Sequence, residues 1–329
     1  EARRCAREQA WAKQAAPERI TLDFDATLVT VHSEKEGAAG NFKGGFGFHP
    51  LLCYLDESGE ALAGILRPGN AGANTAADHV VLLEQALAQL PEPAWGRDIL
   101  VRTDSGGATH EFVNALRELE IHFSIGFDLT VPVREAILAT PEGAWVPAIT
   151  QAGEEREGAA VCDLKNLDLG AWPPGTRAIC RRERPHPGAQ VTFTDHQGFR
   201  FQVFITDQED SDLAQLEARH RAHARVEDRI RCGKETGLRN FPFRQFAPNQ
   251  VWLELVLAAQ DLLTFFQRLC LDGEARFWEP KKMRYRLLHV AGRVVHSGRR
   301  VILRLQRSWR WTLLLAASFR RVRALSATT

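Results

Sequence analysis

Ile20-Thr21-Leu22-Asp23-Phe24-Asp25-Ala26 alternates apolar and polar residues at the two-residue period of a strand with one buried face. Asp23 and Asp25 therefore point the same way, and Asp25 stands at the end of the run. Phe46 to Leu55 and Glu60 to Leu66 are two more apolar runs, and the turn composition Asp56-Glu57-Ser58-Gly59 between them predicts a hairpin. Three antiparallel strands thus open the sheet. Asn74 or Thr75 is placed to cap a helix reaching about Leu90. A strand over Asp98 to Thr103, a helix over His110 to Leu119 and a strand over Ile121 to Phe127 follow.

The order βββαβαβ predicts an α/β fold, a mixed sheet of ribonuclease-H-like type flanked by helices. From about Thr130 to Asp207 the texture changes to prolines, glycines and short apolar runs. These runs end in Gln190-Val191-Thr192-Phe193-Thr194 and Phe199 to Ile205 around the turn Asp195-His196-Gln197-Gly198, and they predict a β-rich insertion. A helix is then expected from about Ser211 to Lys234, with Leu213, Leu216, His220, His223, Glu227, Ile230 and Lys234 on one face at three- and four-residue steps. That phase turns Glu227 toward the sheet. Val251 to Leu269 predicts a second long apolar helix, and no internal repeat is present. Glu1 to Lys13 is an Arg- and Ala-rich helical pattern with no cap before it, which reads as the end of a longer helix. The expected division is 1–17 end of an N-terminal helical region, 18–129 first part of the core, 130–207 insertion, 208–275 second part of the core, and 276–329 a basic C-terminal tail.

With 329 residues and 44% hydrophobic content, the chain is long enough to bury one large core or two smaller ones. The six cysteines (Cys5, Cys53, Cys162, Cys180, Cys232, Cys270) form no CxxC pair, so neither a disulfide framework nor a cysteine zinc site is suggested. No secretory signal is legible, and a reducing cytoplasm is the expected setting. Trp311 to Phe319 is too short to span a bilayer and the Val251 to Leu269 run is broken by Glu254, Gln260, Asp261 and Gln267, so no membrane role is expected. The net charge of +1 conceals segregation: residues 281–329 hold 13 Lys or Arg and no acidic residue, leaving 29 basic against 41 acidic residues before them. A basic segment interleaved with Tyr285, Trp309, Trp311 and Phe319 suits phosphate neutralisation and stacking on nucleic acid. A solvated basic helix or frayed tail is the plainer alternative.

Three carboxylates have chemically pointed settings. Asp25 and Asp104 close apolar strands, and Glu227 sits on a helical stripe where an unpaired carboxylate is costly unless a cation or hydrogen-bond network receives it. Asp104 leads into Ser105-Gly106-Gly107, a turn that lets backbone approach a phosphate or an ion-bound oxygen. Carboxylates converging from different elements are what two divalent ions need to hold both oxygens of a phosphodiester under attack. The structural alternatives are a turn-capping role for Asp104, an Arg102 partner for Asp25, and an Arg225 or Arg229 partner for Glu227. His220, His223 and Glu227 also share a helical face as zinc ligands would, but no HExxH order or cysteine accompanies them.

These residues carry a family resemblance. The chain resembles a DDE-type transposase of bacterial insertion sequences with a β-rich insertion before the catalytic Glu, over most of residues 18 to 270. The marks are Asp25-Ala26-Thr27, His32-Ser33-Glu34-Lys35-Glu36-Gly37-Ala38-Ala39, Gly47-Phe48-His49-Pro50-Leu51, Arg67-Pro68-Gly69-Asn70, Arg102-Thr103-Asp104-Ser105-Gly106-Gly107 and the helix around Glu227. Where related transposases have Tyr, Arg, Glu and Lys in Y-x2-R-x3-E-x6-K, this chain has His220, His223, Glu227 and Lys234, so two of the four positions depart. The resemblance implies Asp25, Asp104 and Glu227 as catalytic ligands of two Mg2+ (or Mn2+) ions. It implies DNA contacts at Lys234, with the histidines as weaker, pH-dependent donors than arginine. Lys35 and Lys43, beside the first strand, are further phosphate candidates. Trp145 and Trp172 in the insertion are candidates for stacking on a flipped base, with packing as the alternative. The implied partners are terminal inverted repeats, target DNA and a second copy of the chain, in the cytoplasm of a bacterium at the nucleoid.

Two other functions compete. Leu22-Asp23-Phe24-Asp25-Ala26-Thr27 matches the D-x-D-x-T of haloacid-dehalogenase-type phosphatases, with Asp23 as nucleophile and Asp25 as acid/base. Such enzymes need a later strand ending in paired acids, and Asp104-Ser105-Gly106-Gly107 offers one. An inactive DNA-binding remnant of a transposase is the second, opposed by the intact carboxylates.

Overall fold

The computed structural model describes residues 1–14, 17–94, 97–186, 188 and 195–326, so the expected strand Gln190–Thr194 lies outside the described residues. Helix α1 (Ala2–Ala12) leads into β1 (Ile20–Ala26), short strands β2 (Val29–Thr30), β3 (Ala39–Gly40) and β4 (Phe46–Phe48), and the hairpin β5 (Leu51–Leu55) and β6 (Ala61–Ile65). Then come α2 (Ala76–Gln89), β7 (Ile99–Thr103), α3 (His110–Glu118), β8 (His122–Phe127) and α4 (Val131–Ala139). Strands β9 (Val146–Ile149), β10 (Glu155–Asp163), β11 (Arg177–Glu183) and β12 (Arg200–Thr206) precede α5 (Leu213–Arg221), α6 (Arg225–Gly233) and α7 (Phe246–Cys270). The chain closes with α8 (Pro280–Met283), β13 (Gly292–Ser297), β14 (Arg300–Leu305) and α9 (Thr312–Ser326).

One nine-stranded sheet runs in the order β6-β5-β1-β7-β8-β12-β11-β10-β9. Its first five strands have the ribonuclease-H-like arrangement, with β1 antiparallel to β5 and parallel to β7, and β7 parallel to β8. Ile20, Leu22 and Phe24 of β1 join a core that also takes Leu82, Leu83, Phe112 and Leu116 from α2 and α3. On the other face, Leu52 and Tyr54 pack with Val226 and Ile230 of α6 and Leu253, Val256 and Leu257 of α7. Helix α1 is fixed by charge: the buried Arg7 pairs with Glu60 at 2.6 Å and Asp261 at 2.9 Å. Among the described residues no helix is long and apolar enough to cross a membrane.

The structure departs from the sequence reading in four places. The Phe46 to Leu55 run divides at His49-Pro50, because proline lacks the N–H a continuous ladder needs. The insertion begins with a helix, α4, before its strands, and those strands extend the core sheet, because β12 pairs with the edge strand β8 from Thr206↔Ser124 to Val203↔Phe127. The helix expected from Ser211 to Lys234 is divided by a tighter 3-10 turn over Ala222–Ala224. Helix α6 buries Val226, Ile230 and Gly233; Glu227 keeps the expected face, lining a cleft with Ile230 and Lys234, but is exposed there instead of buried. The basic tail is folded: Leu271, Ala275, Trp278, Met283 and Leu287 form a small core with Trp311, Leu314 and Leu315, and β13–β14 is a hairpin. Gly298, at φ +59, occupies its two-residue turn, where a side chain would be strained.

Candidate active site

Parallel pairing of β1 with β7 puts Asp23 opposite Arg102 and Phe24 opposite Thr103. Continuing that register by one residue sets Asp25 beside Asp104 at the carboxyl ends of adjacent central strands, where open α/β sheets bind their ligands. Helix α6 crosses the same face and supplies Glu227. All three carboxylates line one cleft of about 490 Å³, together with Lys43, His49, His79, Arg231 and Lys234.

Each carboxylate is placed by local structure. Asp25 Oδ1 accepts from the Ala26 N–H at 2.7 Å. Asp104 caps the 3-10 turn Ser105–Gly107, its Oδ1 accepting from the Gly106 N–H at 2.9 Å. A Cβ on Gly107 would lie 2.2 Å from Thr103 Oγ1, so this turn closes only with glycine there. Glu227 has no hydrogen bond or ion pair among the described residues, and its expected partner Arg225 instead pairs with Asp56 at 3.2 Å. Burial pushes the Asp25 carboxyl up to about 6, and the Asp104 and Glu227 carboxylates add to the rise while His223 opposes it. Three carboxylates, two of them open to solvent, thus share one cleft and raise the cost of charging Asp25.

Among the described residues no three His, Cys, Asp or Glu side chains gather tightly enough to enclose a single ion. An open carboxylate cleft nevertheless fits Mg2+, which is usually held by one or two carboxylates plus substrate phosphates instead of an all-protein cage. The zinc alternative fails on its histidines. His220 stacks on Phe204 at 4.2 Å, and its Nδ1 lies 2.9 Å from Ser124 Oγ. Burial holds its imidazole well below the usual range, so it is neutral and turned into the sheet. His223 Nδ1 lies 3.0 Å from Asp23 Oδ1, with 14% of its side chain exposed. Neither histidine is therefore presented as the DNA contact that the sequence suggested.

Beneath the cleft lies a buried ion network. Arg102 donates to Asp23 through Nε and Nη2 at 2.8 and 2.7 Å, and Nη2 also meets Asp56 at 2.9 Å. Burial works to raise the Asp23 carboxyl, but hydrogen bonds from His223 and Arg102 outweigh it and hold the group below its ordinary value. The arginine suggested for Asp25 thus belongs to Asp23. A carboxylate committed twice over to a guanidinium, and 1% exposed, is not an available nucleophile, which removes the phosphatase reading.

The cations are distributed unevenly. Lys234 lines the cleft half-buried, its ammonium held below the ordinary value first by burial and then by Arg239, with Asp25 opposing. Lys43 is exposed at the cleft. Lys35 is outside the cleft lining and gives one donor to the Phe243 carbonyl at 3.2 Å. Trp172 packs on His110 at 4.1 Å and Trp145 lies under Arg182 at 4.4 Å, so packing accounts for both. Sequence reasoning missed Phe42, which lines the cleft; the glycine-flanked Gly40-Asn41-Phe42-Lys43-Gly44-Gly45 was the available signal.

The raised Asp25 has a consequence for metal-free stability. The folded group titrates near 6 against 3.8 for the ordinary value, so the native state binds the extra proton and loses stability as pH rises from about 4 through 6. Asp25→Asn is expected to be more stable than the parent at pH 7.5 without metal, by about 1–3 kcal/mol after discounting for partial exposure, with the advantage vanishing near pH 4. Urea unfolding in EDTA at the two pH values checks this; an equal difference at both contradicts it.

A family model described as transposase DDE domain group 1 matches residues 4–327. No curated protein matches the chain. Among solved structures, a piggyBac transposase synaptic complex with hairpin DNA aligns at 7% identity and TM-score 0.45, over 78% of this chain and 48% of that one. The chain therefore spans about half the length of that transposase. With nearly its whole length matched by the family model, the chain belongs to the DDE transposase domain family.

Proposed function

We propose that this protein cuts DNA at the ends of a mobile element and joins them to target DNA, using divalent ions held by Asp25, Asp104 and Glu227. The observation that carries the reading is the convergence of these three carboxylates on one cleft that also holds Lys234 and Lys43. Bound Mg2+ or Mn2+ would supply Lewis-acid activation of the attacking and leaving oxygens of the phosphodiester. The chain's own part is positioning. Asp25 and Asp104, fixed at adjacent strand ends, would set the ligand spacing, and the unpaired Glu227 would close the set from α6. Lys234 and Lys43 would hold phosphates flanking the scissile bond. Target DNA and element ends are the partners, and joining two ends calls for two active sites, hence a homodimer on DNA. The arginines of β13–β14 (Arg293, Arg300, Arg304) add a backbone-binding surface.

The test is incubation with a supercoiled plasmid carrying the inverted repeats that flank the gene. End cleavage and joined products that need Mg2+ or Mn2+ are expected; intact repeats with either ion contradict the reading. In the same assay, Lys234→Ala should weaken end binding and cleavage together, with partial rescue at low salt where the remaining charges are less screened. Lys234→Arg should retain most activity. Parental affinity and rate for Lys234→Ala in moderate salt would leave the lysine a solvated helix residue.

A further inference from the structure

A second cavity, of about 420 Å³, opens at the start of β1, where Thr21 lines it four residues before Asp25. At the rise of a strand that is roughly 13 Å from the carboxylate cleft. Arg19 before β1, Asp56 and Glu57 after β5, Arg102 of β7, Arg219 of α5 and Arg225 of α6 wall it, with the turn 150–153 of the insertion. Four guanidinium groups face two carboxylates.

The carboxylates are already engaged. Asp56 Oδ2 lies 2.9 Å from Arg102 Nη2 and 3.2 Å from Arg225 Nη1, and Glu57 accepts from the Thr21 N–H at 3.1 Å. Arg19 has no hydrogen bond or ion pair among the described residues. Arg219 reaches Asp210 only at 3.8 Å, and its other side-chain contact is the neutral Gln208 amide. Burial and then the charge of Arg19 hold the Arg219 guanidinium below its ordinary value, with Asp210 opposing, so two like charges share this wall. The carbonyls at the end of α5, which would repel an anion, are covered: Ala218 by Gln151 Nε2 at 2.7 Å and Arg219 by Arg102 Nη1.

Asp56 adds a second demand. Its side chain is only 9% exposed, and its Oδ1 has no hydrogen-bond partner among the described residues. A buried acceptor left unpaired is costly. An ion that offers several oxygens to the arginines and one O–H to Asp56 answers both demands. Hydrogen phosphate is such an ion, whereas sulfate and the phosphodiesters of DNA carry no proton at neutral pH. We propose that this cavity binds hydrogen phosphate, with Arg19, Arg219 and Arg225 as donors and Asp56 Oδ1 as acceptor. The site is separate from the carboxylate cleft and does not rest on the DNA-cutting reading.

The experiment is calorimetric titration of the full chain with sodium phosphate and, separately, sodium sulfate, at pH 7.5, constant ionic strength and in EDTA. Phosphate should bind the parent, and Arg19→Gln and Arg219→Gln should each weaken it about tenfold, the scale of one charge-assisted hydrogen bond. Arg19→Gln is the decisive variant, because Arg19 is exposed and supports no other contact among the described residues. Sulfate should bind at least about tenfold more weakly than phosphate, having no proton for Asp56. Lys234→Ala, in the carboxylate cleft, should leave phosphate binding unchanged. No binding by the parent, parental affinity in Arg19→Gln, equal affinity for sulfate, or a loss in Lys234→Ala overturns the proposal. A duplex without terminal phosphates is the last arm: it should not displace phosphate, and displacement would make the occupant a DNA backbone and overturn the assignment to the free ion.

Discussion

Asp25→Ala, Asp104→Ala and Glu227→Ala are each expected to lower Mg2+-dependent end cleavage by at least about a thousandfold, the scale of several kcal/mol that metal ions supply to charge development at a phosphodiester. Folding should survive, because Asp104 and Glu227 are exposed and Asp25 only partly buried. DNA retention should also survive, since Lys43, Lys234 and the basic hairpin are untouched. The three effects should not add, because ligands of one site act as a unit. End-labelled cleavage assays alongside filter binding separate these outcomes. Wild-type nicking by any one variant removes that residue from the ligand set.

Arg102→Leu should be the most destabilising substitution near the site. It removes the guanidinium from Asp23, whose carboxylate is buried between β1, β7 and the Ala222–Ala224 turn and would keep only His223, and removing one partner of a buried pair costs about 3–5 kcal/mol. Asp56 keeps Arg225, so most of the penalty falls on Asp23. Replacing both Asp23 and Arg102 by leucine should recover much of the loss, because no unpaired charge then remains buried. Denaturant midpoints of the single and double variants give the comparison; a loss below about 0.5 kcal/mol for Arg102→Leu, the range of ordinary surface changes, would contradict the network.

Much of this architecture was legible because β1, β7 and β8 are apolar runs ending in punctuation, and Asp25 and Asp104 stand at those ends. Glu227 was legible as a ligand candidate through its place on a helical stripe and its spacing to His220, His223 and Lys234. Its burial was misread because a helical wheel gives the face a residue takes but not whether that face meets packed core or an open cleft. Pairing of β12 with β8 joins residues some 80 apart, and no local pattern encodes which sheet edge an insertion adopts. The Asp23–Arg102 pair was hidden for a related reason: it follows from the parallel register of β1 on β7, and sequence alone offered Arg102 equally to Asp25. In the C-terminal segment the arginine density masked the pairing of Val294 with Leu303 and Val295 with Ile302 across a two-residue turn.

Anomalous diffraction from crystals of the protein bound to element-end DNA in Mn2+ tests the central claim most directly. Two Mn2+ peaks about 4 Å apart are expected in the cleft, with Asp25, Asp104 and Glu227 oxygens among their ligands. Mn2+ seated elsewhere, with the three carboxylates unligated under conditions that support cleavage, would contradict the account.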